Sequence, residues 1–211
     1  VRYAYKEKFL QTPKGNLLSM GTKYPILYFN VIKGVKLYEA NNEYLKLETK
    51  ITKRITHRHI GDTYLTLSGA ISDGDLPYGS LYYGASSYSW LNIDNSFNTM
   101  RINEFVSNRF ASVFFRHDFG SLLYRTKKWA PELVIVSAAG WGDNSLTTYQ
   151  MEPEFGKNMN KGYFESGIQI NNVLKLNFQG YGLGVYYRYG PYSRSKPIEN
   201  WAFKFNLTFI L

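Results

Sequence analysis

The stretch Leu45-Lys46-Leu47-Glu48-Thr49-Lys50-Ile51-Thr52-Lys53-Arg54-Ile55 decides how the rest of this chain is read. Leu45, Leu47, Thr49, Ile51 and Ile55 alternate with Lys46, Glu48, Lys50, Thr52 and Arg54. Successive side chains alternate faces only in extended backbone, so this is a strand with one apolar and one charged face. A clean alternation of about a dozen residues is long beside the usual strand of about 5–6. It matches the roughly 9–11 residues that cross a bilayer at a tilt. The last stretch repeats the pattern, with Trp201, Phe203, Phe205, Leu207, Phe209 and Leu211 on one side. Asn200, Ala202, Lys204, Asn206 and Thr208 take the other, and Ile210 breaks the rule.

Working outward, similar signals predict strands near 1–10, 24–35, 62–72, 104–118, 130–140, 162–170 and 181–190. With 43–56 and 199–211 this makes about nine, separated by Gly-, Asn- and Pro-rich turns. Two connections are long, 73–103 and 141–161, and both are rich in polar and aromatic residues. No linker or low-complexity segment divides the chain, so 1–211 reads as one domain.

Composition narrows the class. The 211 residues include 19 Tyr, 14 Phe and 4 Trp, and 25 Lys and Arg against 16 Asp and Glu give a net charge of +9. An aromatic share of 18% excludes a disordered chain. The absence of cysteine excludes disulfide scaffolds, thiolate metal sites and cysteine nucleophiles. No apolar run approaches the ~18 residues of a membrane helix. The basic residues are scattered through strands and turns, which argues against a nucleic-acid partner. The start at Val1 carries no signal-like segment and leads to the expectation of a mature chain or the later part of a longer one. Together these features point to an all-β fold, a transmembrane antiparallel β-barrel with apolar and aromatic residues facing lipid. A soluble lipocalin-like barrel or β-sandwich alternates too.

The residues also carry a resemblance. The stretch Asn98-Thr99-Met100-Arg101-Ile102-Asn103-Glu104-Phe105-Val106-Ser107-Asn108-Arg109-Phe110 resembles an uncharacterised outer-membrane family of the Bacteroidota. That family joins an N-terminal carboxypeptidase-regulatory-like domain to a C-terminal barrel similar to the BamA/surface-antigen superfamily. Leu76-Pro77-Tyr78, Lys161 to Gly167, Asn171 to Leu176 and Tyr187 to Tyr192 follow in the same order, so the resemblance spans roughly 15–211. It implies a barrel of roughly sixteen strands with a lumen loop five strands before the end. Five predicted strands follow the loop at 73–103 here. An odd strand count then implies the C-terminal part of a larger barrel, because bacterial single-chain barrels use even numbers. The superfamily's Val-Arg-Gly-aromatic lid signature is missing, and neither Arg101 nor Arg109 sits in such a motif.

The function that follows from the resemblance is a part in outer-membrane protein assembly or polypeptide handling, at the bacterial outer membrane and without catalysis. The strand Trp201, Phe203, Phe205, Leu207, Phe209, Leu211 would form one side of a seam and the insertion signal. Pro77, Tyr78, Tyr82, Tyr83, Tyr88, Trp90 and Arg101 would belong to the lid loop. Expected partners are outer-membrane lipids and other envelope proteins or barrel-assembly subunits, with no cofactor and no metal. Two readings of another kind stay open: a structural or accessory barrel of an envelope complex, and a soluble barrel binding an apolar ligand.

Other constellations read as structural. His57 and His59 could share a strand face and bind a metal, but His57-Arg58-His59 looks like a solvated basic turn. Glu152 and Glu154 flank Pro153 in a long loop with nothing to position them. His117-Asp118 with Ser107 or Ser112 lacks a nucleophile motif. Gly180-Tyr181-Gly182-Leu183-Gly184 precedes no helix and suits close backbone approach better than nucleotide binding.

Overall fold

The computed structural model describes residues 1–211 except 14, 37–42, 75, 122–128, 146–156, 177–178 and 210–211. The described residues are all-β apart from two short 3-10 turns, Tyr78–Ser80 and Pro197–Asn200. The first strands are short: β1 (Arg2–Ala4), then β2 (Phe9–Gln11) and β3 (Leu17–Ser19), which form a separate hairpin. The main strands follow as β4 (Ile26–Gly34), β5 (Tyr44–His57), β6 (Gly61–Gly74), β7 (Arg109–Asp118), β8 (Glu132–Asp143), β9 (Met159–Leu176), β10 (Gln179–Tyr189) and β11 (Trp201–Phe209). With β1 they make one antiparallel sheet in the order β1-β4-β5-β6-β7-β8-β9-β10-β11.

This sheet is open. Among the described residues β1 pairs only with β4, and β11 pairs with β10 and not with β1. A barrel needs its first and last strands hydrogen-bonded so that no edge remains, and that pairing is missing here. The expected closed transmembrane barrel is therefore corrected to an open sheet of nine strands. The BamA-like assembly role and the outer-membrane location fall with it, as do the accessory-barrel and soluble-barrel readings, since each rested on a barrel. No helix among the described residues is long and apolar enough to cross a membrane.

Boundaries shift for local reasons. The predicted strand 104–118 begins at Arg109, because Glu104–Asn108 is a buried extension of the preceding loop. The predicted turn after residue 170 is instead the continuation of β9 to Leu176. Asn171 and Asn172 look like turn residues but are buried: the Asn206 amide donates to Asn171 at 2.8 Å and the Thr208 hydroxyl to Asn172 at 2.6 Å. The glycines at 180 and 184 make room for such contacts. A Cβ at Gly180 would lie 1.8 Å from Asn172 Oδ1, and one at Gly184 2.6 Å from the Tyr186 hydroxyl.

The two faces of the sheet have opposite character. The inner face, defined by the loop 76–108 that lies on it, carries buried Glu165, Gln169, Tyr186, Arg188, Lys204 and Asn206. The apolar core sits between loop and inner face, with Phe97, Met100 and Phe105 of the loop packed on Phe114, Ala138, Met159 and Tyr163. Tyr82 stacks on Phe110 with ring centroids 3.5 Å apart. The outer face is apolar and uncovered among the described residues. Phe203 is 67% exposed, Phe209 76% and Leu183 55%.

Candidate functional site

Three adjacent strands each send one ionisable side chain from the inner face to the loop. On β9, the Glu165 carboxylate accepts the backbone N–H of Asn98 at 2.6 Å, that of Thr99 at 2.9 Å, and the Thr99 hydroxyl at 2.6 Å. On β10, Arg188 is 1% exposed and meets Glu104 as a two-pronged pair, Nη1 to Oε1 at 2.8 Å and Nη2 to Oε2 at 2.7 Å. Its Nη2 also donates to the Thr99 carbonyl at 3.0 Å, and its Nε to the Tyr163 hydroxyl at 2.9 Å. On β11, Lys204 Nζ donates to the Ser87 hydroxyl and, at 2.5 Å, to the Tyr88 carbonyl.

Burial opposes the Glu104 charge, but the hydrogen bonds and charge of Arg188 outweigh it and hold the carboxyl below its ordinary value. Burial pushes the Tyr82 phenol up to about 12, so it stays neutral and accepts the Ala85 N–H. The loop also reaches the free edge of the sheet. Phe205 N–H donates to the Trp90 carbonyl at 2.8 Å, and Asn92 N–H donates to the Phe205 carbonyl at 2.9 Å. This parallel bridge covers the β11 edge at its middle.

The residues expected in the lid loop take varied places. Pro77 starts the 3-10 turn, Tyr78 is exposed, and the Tyr83 hydroxyl donates to the Tyr78 carbonyl. Tyr83 packs on Leu76, Leu81 and Val106. Tyr88 and Trp90 point their rings outward and serve through their carbonyls. Arg101 is exposed, and only its N–H touches the anchor, donating to Glu104 at 2.9 Å. The buried pair has its carboxylate on the loop and its arginine on the sheet. Sequence reading missed Glu104, Glu165, Arg188 and Lys204 as anchors. The available signal was position: Arg188 and Lys204 fall on the polar side of otherwise aromatic strands.

In the last strand, Trp201, Phe203, Phe205, Leu207 and Phe209 all point outward and are exposed, while Leu211 lies outside the described residues. Most of the loop 141–161, with Glu152 and Glu154, is also outside them. His57 meets His117 through Thr63, at 3.1 and 2.8 Å, rather than pairing with His59. No group of three metal-type ligands occurs among the described residues. Ser112 lies buried on the inner face against Ser68, and His117 lies on the outer face against Thr63, so the two cannot act on one proton. No family model, no curated protein and no solved structure matches this chain.

A second feature of the inner face is a cavity of about 1370 Å³ beside the anchored loop. It lies between the segment around β2 and β3, the inner faces of β5 to β9, and the loop tip at Asn92–Ser96.

Proposed function

We propose that this chain is a non-catalytic sheet protein whose outer face contacts lipid acyl chains and whose inner face is partly covered by its own loop. One observation carries the reading. Cross-strand register places Leu27, Ile51, Leu67, Val113, Ala139, Phe164 and Tyr189 in a single outward row across seven strands. The next row on this face, Phe115, Ser137, Ser166, Tyr187 and Trp201, is mixed, and the row beyond it again carries Ile135, Ile168, Val185 and Phe203. Contiguous apolar surface of this extent marks a contact site, because a water-facing sheet alternates the other way.

The ends of the strands support lipid over a protein cover. Trp141, Tyr187, Tyr189 and Trp201 gather at one end with exposed rings, and Trp129 lies at the other. The indole N–H groups of Trp141 and Trp129 are satisfied by the Asn160 and Val173 carbonyls. Rings with an apolar body and a satisfied polar tip suit the boundary between hydrocarbon and water.

Flotation of the full chain with uncharged phosphatidylcholine vesicles tests the reading. The chain is expected to float and to need detergent when lipid is absent. A monomer that stays in solution without either would overturn it.

A further inference from the structure

We infer that the inner-face cavity is a binding site for a compact anion bearing several phosphate groups. The inference does not rest on the lipid reading, which concerns the opposite face of the sheet. The residues lining the cavity include seven Lys and Arg from three parts of the fold and two carboxylates, Asp94 and Glu165; of the seven, Lys53 alternates to the outer face with Ile51 and Ile55 and donates to the Lys23 carbonyl. Lys6, Lys8 and Lys23 come from the N-terminal segment, Lys53, Arg54 and Arg58 from β5 and its turn, and Arg116 from β7.

Two of these cations are held in place. Arg54, Tyr64 and Arg116 stand in one cross-strand row, with the guanidinium carbons 5.4 and 5.2 Å from the Tyr64 ring centre. Asp62 holds Arg54 at 2.7 Å, and Asp118 holds Arg116 at 3.2 Å with Asp94 at 3.6 Å. These carboxylates orient the two arginines and partly neutralise them. Arg116 Nε is nevertheless buried without a hydrogen-bond partner among the described residues. Lys6, Lys8, Lys23 and Arg58 have no carboxylate partner among the described residues.

Like charges converging on one space repel each other unless an anion sits between them, and low-dielectric walls focus their field there. Ammonium groups act as point charges and suit tetrahedral phosphate, while guanidinium groups reach two oxygens at once. The volume exceeds the roughly 300–1,000 Å³ of an ordinary small-molecule pocket, which favours an oligomeric anion over a single phosphate.

The test uses the full chain in non-ionic detergent, with inorganic tripolyphosphate as probe and calorimetry as readout. Tripolyphosphate is expected to bind, more tightly than orthophosphate and with strong salt dependence. The triple variant Lys8→Gln, Lys23→Gln, Arg58→Gln is expected to lose roughly tenfold or more in affinity, as removing charge-assisted contacts should. All three positions are exposed, so the variant should keep its fold. A control, Lys161→Gln, Lys175→Gln, Lys196→Gln, removes equal charge from exposed positions outside the cavity and should bind as the parent does. Competition by detergent-dispersed cardiolipin, whose headgroup bears two phosphates, would identify the source as a lipid headgroup, and its failure would identify a soluble phosphate. Equal losses in variant and control would overturn the site, as would a polyglutamate peptide binding where tripolyphosphate does not.

Discussion

The inner and outer faces of this sheet solve opposite problems with the same strands. On the inner face, Glu165, Arg188 and Lys204 are buried and each has found partners in the loop. On the outer face, the residues beside them in sequence, such as Phe164, Tyr187, Tyr189, Phe203 and Phe205, are uncovered. A sheet that hides its charges and shows its aromatics reverses the arrangement that water favours. The difference teaches that the loop covers part of one face, while the other face is uncovered among the described residues and is the one the proposed reading gives to lipid. Burying one such Phe or Leu is worth roughly 1.5–3 kcal/mol, so a row of them outweighs most single polar contacts.

Breaking the inner face should have the largest effect. Arg188→Met leaves the buried Glu104 with only Arg194, at 3.9 Å, as a charge partner, and Glu104→Ala leaves the buried Arg188 with none among the described residues. Each should cost about 3–5 kcal/mol in urea unfolding of the detergent-held protein. The double variant should recover part of that loss, because no charge is then stranded. Lys204→Met is expected to cost less, about 1–3 kcal/mol, since it frees neutral partners at Ser87 and Tyr88. Its sharper signature is faster amide hydrogen exchange at Asn92 and Phe205, where the loop covers the sheet edge.

Acid should weaken the same face. The folded-state Glu104 carboxyl lies below its ordinary value, so its stabilisation is fully present above the ordinary carboxylate range. That stabilisation is lost as pH falls through the lowered folded value. A pH series of unfolding midpoints should show this loss in the parent and a flatter acid limb in Glu104→Gln. The smallest stability effect belongs to the outer face. Phe203→Ser with Phe205→Ser should change unfolding free energy in detergent by no more than about 0.5 kcal/mol per site, as exposed substitutions do. The same variant should bind vesicles much more weakly, and flotation reads that difference.

The strands were legible because alternation is local. Leu45 to Ile55 and Trp201 to Phe209 announce their two faces within a few residues. Closure was not legible, because it depends on whether β1 and β11 meet, and no local pattern encodes a contact between the ends of a chain. Asn171-Asn172 misled because asparagine favours turns, whereas here the two side chains satisfy Asn206 and Thr208 on a buried polar face. The aromatic loop at 73–103 was visible as a unit, but its fastening was not. Glu104 and Arg188 are 84 residues apart, and the pair exists only once β10 lies beneath the loop. The nearby Arg101 drew attention for its charge, yet its side chain is exposed while Glu104 is buried.

The central claim is that the outer face is a lipid contact surface. Its most direct test is density-gradient flotation of the full chain with phosphatidylcholine vesicles, beside the Leu183→Ser, Phe203→Ser, Phe205→Ser variant. The parent should rise with the vesicles and the variant should stay below, both with unchanged unfolding midpoints in detergent. A parent chain that remains at the bottom of the gradient as a detergent-free monomer, or a variant that floats equally well, would contradict the account.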